Sequence, residues 1–187
     1  IDPSIPYKSV SVYKNKKKID SSITPFFAAV ENHNIEIINI LLSNKNIDID
    51  CRCNKMTPLF CALIHNYIDV VKILLQNSEK LDINVLNARE ITKYDRGTSC
   101  RFKDNKTYLY YAAETNNVEM VKLLLTIKNI DVNKISMHDT YSYCKVYNHY
   151  EDCRIRAKEM TALYVAAKNG STDVVKLLLS NENIDVN

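Results

Sequence analysis

A length of 187 residues allows a sizeable core and one or two domains, and a composition of 46% hydrophobic and 25% charged residues, with no Trp and a net charge of +3, is that of a soluble protein. Two glycines, Gly97 and Gly170, are too few for a Gly-rich phosphate loop, in which the backbone must come close to the anion. No apolar run approaches the ~18–20 residues of a membrane-spanning helix, and Ile1-Asp2-Pro3-Ser4 does not begin a basic start with an apolar stretch behind it, so a secreted chain is not expected and the reading is intracellular, in the cytoplasm.

Along the chain, Ile1-Asp2-Pro3 is similar to the close of the later blocks, and 5–23 is a polar stretch rich in lysine. Four blocks then align with one another, and such self-similarity outranks any other signal. They begin Thr24-Pro-Phe-Phe-Ala-Ala, Thr57-Pro-Leu-Phe-Cys-Ala, Thr107-Tyr-Leu-Tyr-Tyr-Ala-Ala and Thr161-Ala-Leu-Tyr-Val-Ala-Ala. Each runs on into an acidic-then-apolar segment: Glu36-Ile-Ile-Asn-Ile-Leu-Leu, Asp69-Val-Val-Lys-Ile-Leu-Leu, Glu119-Met-Val-Lys-Leu-Leu-Leu and Asp173-Val-Val-Lys-Leu-Leu-Leu. Each closes on Asn46-Ile-Asp-Ile-Asp, Leu81-Asp-Ile-Asn, Asn129-Ile-Asp-Val-Asn or Asn183-Ile-Asp-Val-Asn.

Two short helices are predicted in every block. Threonine caps the first helix, because its hydroxyl accepts from an orphan N–H, and proline behind it has φ preset for a first turn. The break falls at Asn32-His33-Asn34, Asn66, Asn116-Asn117 and Asn169-Gly170, where Asn and Gly tolerate the left-handed conformation. The acidic residue then meets the positive end of the second helix. Apolar residues cover most of that helix's circumference, as expected between neighbours. One unit cannot bury both faces; a stack of at least about three can.

These blocks resemble the ankyrin repeat, whose pattern is Thr-Pro-Leu-His-x-Ala-Ala, a Gly turn, Val-Val-x-Leu-Leu-Leu and Ala-Asp-Val-Asn, and the 33-residue spacing from Thr24 to Thr57 matches its period. The resemblance implies an all-α solenoid of helix–turn–helix units with β-hairpin or loop fingers between them. The implied division is 1–23 as the end of a preceding repeat plus a long finger, 24–56 as the first repeat, 57–106 and 107–160 as repeats with finger insertions, and 161–187 as the fourth, all in one solenoid domain. The motif His, which ties neighbouring repeats in the family, is replaced by Phe27, Phe60, Tyr110 and Tyr164, so packing or a Tyr hydroxyl must do that work here.

The fingers are unequal. Thr57 to Thr107 is 50 residues and Thr107 to Thr161 is 54, with the excess in 85–106 and 134–160. Loops of that length are functional or irregular insertions more often than simple connections. Segments 5–23, 51–56, 85–106 and 134–160 carry +4, +2, +3 and +1, together +10 against +3 for the chain, which leaves −7 on the remainder. A basic ridge beside acidic helices would steer an acidic partner to the fingers. Seven of the twelve tyrosines lie in these segments; tyrosine favours interfaces and also favours strands.

The resemblance implies a protein–protein interaction scaffold, and the expected contact residues are Tyr13, Lys16, Lys17, Arg52, Arg89, Tyr94, Arg96, Arg101, Tyr141, Tyr143 and Tyr147. Two alternatives stand beside it. The chain could be a structural spacer in a longer solenoid, with Leu163, Val174 and Leu178 of the last block partly uncovered. A basic finger ridge could instead bind nucleic acid or an anionic membrane, although neither is the expected partner.

No nucleophile–base set stands out, so no enzyme and no cofactor is expected. His33 and His65 fall at the turns between helices. His138, Cys144, His149 and Cys153 share one finger, but Cys144-x4-His149-x3-Cys153 is not a standard zinc spacing, and no metal is assigned. The six cysteines, Cys51, Cys53, Cys61, Cys100, Cys144 and Cys153, read as reduced thiols. Asn84, Asn133 and Asn187 match the position that asparaginyl hydroxylases modify in the family, and the simpler expectation is that they satisfy the backbone of a turn.

Overall fold

The computed structural model describes residues 23–53, 55–95, 98–138, 142–146, 149–153 and 158–187, with the backbone alone described for 88–95, 98–104, 138, 142–146, 149–153 and 158. Helices come in pairs that pack on each other: α1 (Pro25–Glu31) with α2 (Ile35–Leu42), α3 (Pro58–Ile64) with α4 (Ile68–Leu75), α5 (Tyr108–Glu114) with α6 (Val118–Leu125), and α7 (Ala162–Lys168) with α8 (Thr172–Leu179). The four threonines cap the first helices as the sequence predicts. Their hydroxyls accept from the backbone N–H of Phe27, Phe60, Tyr110 and Tyr164 at 3.1–3.2 Å. The turn inside each pair passes through one left-handed residue: His33 (φ 52), Asn66 (φ 57), Asn116 (φ 53) and Gly170 (φ 70). Asn34 and Asn117 then cap the second helices through their side chains, and Glu36, Asp69, Glu119 and Asp173 occupy the first turns, where negative charge meets the helix dipole.

The chain divides into two compact units, one ending at Asp82 and the other beginning at Ile83. In the first, α1 packs against α3, and Phe26, Phe27, Ile38, Leu59, Phe60 and Leu74 are fully buried. Each such side chain stabilises by about 1.5–3 kcal/mol relative to exposure. Ile37 and Ile40 of α2 remain 45% and 68% exposed, so the apolar circumference of this helix is not all covered. In the second unit α5 packs against α7 and α6 against α8, around Tyr108, Tyr110, Leu124 and Leu178.

The positions of the missing motif His divide by unit. Phe27 and Phe60 are core side chains, 2% and 0% exposed, so packing takes over from polar linkage. Tyr110 is fully buried beneath the Lys106 ammonium, 5.7 Å from its ring centroid, and that ammonium pairs with Glu114 at 2.8 Å. Tyr164 is 53% exposed and fills no core.

Among the described residues the second unit also carries a six-stranded sheet. The finger after the second block is a hairpin of β1 (Asn87–Asp95) and β2 (Thr98–Lys106), paired from Asn87↔Lys106 to Asp95↔Thr98. The next finger supplies β3 (Ser136–His138), β4 (Ser142–Val146), β5 (His149–Cys153) and β6 (Lys158–Met160). Strand β2 holds β1 on one edge and both β4 and β3 on the other, so the two fingers are joined in one antiparallel sheet.

The closing Asp-Val-Asn segments are tied by a recurring clasp. The Asn84 side-chain amide donates to the Asn129 carbonyl at 2.8 Å, and its oxygen accepts from the Asp131 N–H at 2.7 Å. Asn133 does the same to Asn183 and Asp185 at 2.7 and 2.8 Å. These asparagines therefore bridge one block to the next, where the sequence reading has them serving their own turn. Asp50 stands at the corresponding place in the first block. Its carboxylate accepts from the Asp82 N–H at 3.4 Å, but it has no amide to donate, and its other oxygen is buried without a hydrogen-bond partner. Burial raises its pKa above the ordinary carboxylate value, against the lowering pull of the Asp82 N–H.

Asp50→Asn is accordingly expected to stabilise the chain, by about 1 kcal/mol for one restored hydrogen bond. The pH dependence has a definite sign. A carboxyl with a raised folded-state pKa favours folding below its unfolded value of about 3.9 and loses that contribution as pH rises through the folded value. The advantage of the variant should therefore be full at neutral pH and shrink as pH falls toward 4. Urea unfolding of both chains at the two pH values checks this; an advantage that is absent at pH 7 contradicts it.

Candidate protein-interaction surface

The short finger at 51–56 presents one of the expected contacts. Cys53 and Met56 exchange backbone hydrogen bonds at 3.0 and 2.9 Å, and Lys55 takes a left-handed φ of 64° to close the turn. Arg52 is exposed between Cys51 and Cys53, which are buried. Cys51 touches the capping hydroxyl of Thr24 at 3.0 Å, which anchors the base of this finger to the start of α1. Thr107 meets Ser136 in the same way, its N–H donating to the Ser136 hydroxyl at 3.0 Å, so the long finger is anchored to α5.

In the sheet, Arg89 and Tyr94 lie on β1, Arg101 on β2 and Tyr143 on β4. The register sets Arg101 opposite Thr92 on one side and Tyr143 on the other, and the next row on the same face holds Tyr94, Ser99, Lys145 and Tyr150. Arg89 pairs with Asp104 in a row of opposite parity, so its position falls on the other face. Sheet pairing thus gathers Tyr94, Arg101 and Tyr143, from two fingers, onto one face, and does not add Arg89 to them. Tyr13, Lys16, Lys17, Arg96, Tyr141 and Tyr147 lie outside the described residues. His138, Cys144, His149 and Cys153, to which no metal is assigned, lie where only backbone is described; among the remaining described residues no group of three potential metal ligands converges.

The histidines and cysteines of the first unit are occupied structurally. His33 stacks on Tyr67 with ring centroids 4.1 Å apart and planes 11° apart, and its Nε2 meets Asp69 at 2.9 Å. That hydrogen bond holds the exposed Asp69 carboxyl below its usual value. His65 is bound through Nδ1 to the Cys61 carbonyl at 2.9 Å, closing the end of α3. Burial pushes the Cys51 thiol up to about 11 and the Cys61 thiol to about 12, so neither is a thiolate near neutral pH.

The last helix pair presents an open groove of about 620 Å³ lined by Met160, Leu163, Tyr164, Ala167, Leu179 and Val186. The sequence reading places Val174 and Leu178 among the uncovered residues; both are fully buried, because they sit on the side of α8 that packs toward α6 and α7. Tyr164, Leu179 and Val186 are the exposed ones, at 53%, 49% and 63%.

Among the described residues no helix is long and apolar enough to cross a membrane. A family model described as ankyrin repeats (3 copies) matches residues 8–87 and 89–187, nearly the whole chain.

Proposed function

The chain belongs to the ankyrin-repeat family, whose repeats are generally protein–protein interaction modules, and on that premise we propose that it is an intracellular scaffold that holds an acidic partner protein along its fingers. One observation carries this reading: the two long fingers pair into a single sheet that sets Tyr94, Arg101 and Tyr143 on one face. Two independent loops would present these residues in changing relation to one another, whereas a paired sheet presents them together. Charge supports the same reading, since the finger segments carry +10 and the remainder −7. Aromatic and arginine side chains concentrate binding energy at interfaces, and the surrounding charges act mainly on the rate of encounter. Arg52, exposed on the short finger of the first unit, is a further basic contact of the same kind.

The test is capture on the immobilised full chain, with bound proteins identified by mass spectrometry, beside a variant carrying Arg52→Glu, Arg96→Glu and Arg101→Glu. The expected result is an acidic protein retained by the natural chain, whose association rate drops at least tenfold in the variant and falls with salt. Equal capture by both chains would overturn the proposed face. Retention of nucleic acid or anionic vesicles in place of protein would favour the basic-ridge alternative, and binding would then weaken steeply with salt.

A second reading has its own support. Tyr164, Leu179 and Val186 leave an apolar groove that another helix pair would cover, as α7 and α8 cover α5 and α6. On that reading the repeats space other parts of a longer array, and neither chain retains a specific protein.

A further inference from the structure

We infer that Cys100 on β2 and Cys144 on β4 are a reversible disulfide pair that fastens the finger after the second block to the finger after the third. The two cysteines are direct register partners on adjacent antiparallel strands. Directly opposite residues in any antiparallel pair have Cα atoms about 4.5–5.5 Å apart. That lies inside the usual 4.4–6.8 Å window for a disulfide. The pair is also central. It is the third of five consecutive partners, from Thr98↔Val146 to Phe102↔Ser142, so its alignment is held by ladder on both sides. Beyond this ladder the described strands of the two fingers meet only at Asn105↔Met137, so a bond here would lock most of the seam.

The other cysteines are placed differently. Cys153 is the register partner of Ser142, two rows from Cys144, whose own partner on that strand is Glu151. Cys51, Cys53 and Cys61 are buried in the other unit. The pKa of about 11 for Cys51 and about 12 for Cys61 keeps these two protonated and poor competitors for an oxidant.

The oxidant is a small-molecule disulfide of the glutathione type. The thiolate of one cysteine attacks an oxidant sulfur, the oxidant S–S bond breaks, and one small thiolate leaves with the electron pair. The second cysteine, having lost its proton, attacks the protein sulfur of this mixed disulfide and expels the second small thiolate. Two protein thiols are oxidised, one small disulfide is reduced to two thiols, and the two protons end on the departing groups. In a reducing compartment the pair rests as thiols. The inference does not depend on what the sheet binds.

The test uses the full chain equilibrated with oxidised glutathione, then quenched in acid, denatured, alkylated and mapped by mass spectrometry after proteolysis. The expected map has a linked Cys100–Cys144 peptide and two fewer alkylated cysteines than the reduced chain, with the other four still alkylated. Cys153→Ser should leave the link in place. Cys144→Ser should abolish it and return Cys100 alkylated or carrying one glutathione. Six alkylated cysteines in the oxidised natural chain, or a link from Cys144 to Cys153, would overturn the pairing. The map of the natural chain decides the matter even if a variant fails to fold.

Discussion

Phe60→Ala lowers the stability of the chain by about 3–5 kcal/mol, the range for removing a buried aromatic ring whose site cannot fully collapse. Phe60 is 0% exposed and its backbone N–H is the one held by the Thr57 cap, so the ring is fixed at the start of α3. Helix α3 packs on both α1 and α4, and residue 60 is the place where the family has a polar link between repeats. In this chain the position carries a fully buried aromatic ring instead. A whole domain is commonly stable by only 5–15 kcal/mol, so the loss is a large share of the total. Urea unfolding followed by circular dichroism measures it. A change below about 1 kcal/mol would mean that Phe60 does not join the helix pairs.

Glu114→Ala is the second large effect, expected to destabilise by about 3 kcal/mol. The Lys106 side chain is only 9% exposed, with its ammonium 3.1 and 2.8 Å from the two Glu114 oxygens and above the Tyr110 ring. Removing the carboxylate leaves a positive charge in a poorly hydrated place, which costs more than the pair itself contributes. The double variant Lys106→Met with Glu114→Leu should therefore recover most of the loss, since burying two apolar side chains avoids desolvating either charge. The same unfolding measurement on three chains checks both statements. If the double variant is as unstable as the single one, the loss lies in packing and not in the missing Glu114 charge.

The parts of this fold that were legible in the sequence are the local ones. Thr24, Thr57, Thr107 and Thr161 cap their helices because a cap needs only the next three residues. His33, Asn66, Asn116 and Gly170 are left-handed because a three-residue break between helices demands it, and three of the four are Asn or Gly. The clasp at Asn84 and Asn133 was visible as a repeated residue, but its partners lie 45 to 52 residues away, and nothing in the local pattern names them.

The site was less legible for the same reason. A β pattern can be read within 98–106 and within 142–146, yet the register between β2 and β4 joins residues about 44 apart, and alternation within one finger cannot set it against another. The pairing of Lys106 with Glu114 links the end of a strand to the end of a helix, outside any helical spacing rule. Val174 and Leu178 belong to the face of α8 turned toward the preceding pair, whereas Leu163, Tyr164 and Leu179 line the open groove. The apolar pattern marks both sides of such a helix without saying which neighbour each side meets.

The central claim, that each helix pair is held by its neighbours and not by itself, is tested most directly by amide hydrogen exchange on the natural chain and on Phe60→Ala. The account predicts that losing this one ring accelerates exchange across α1 and α2 as well as α3 and α4, by a similar factor, because a pair deprived of its neighbour cannot exclude water. Faster exchange confined to α3, with α1 and α2 protected as before, would contradict it.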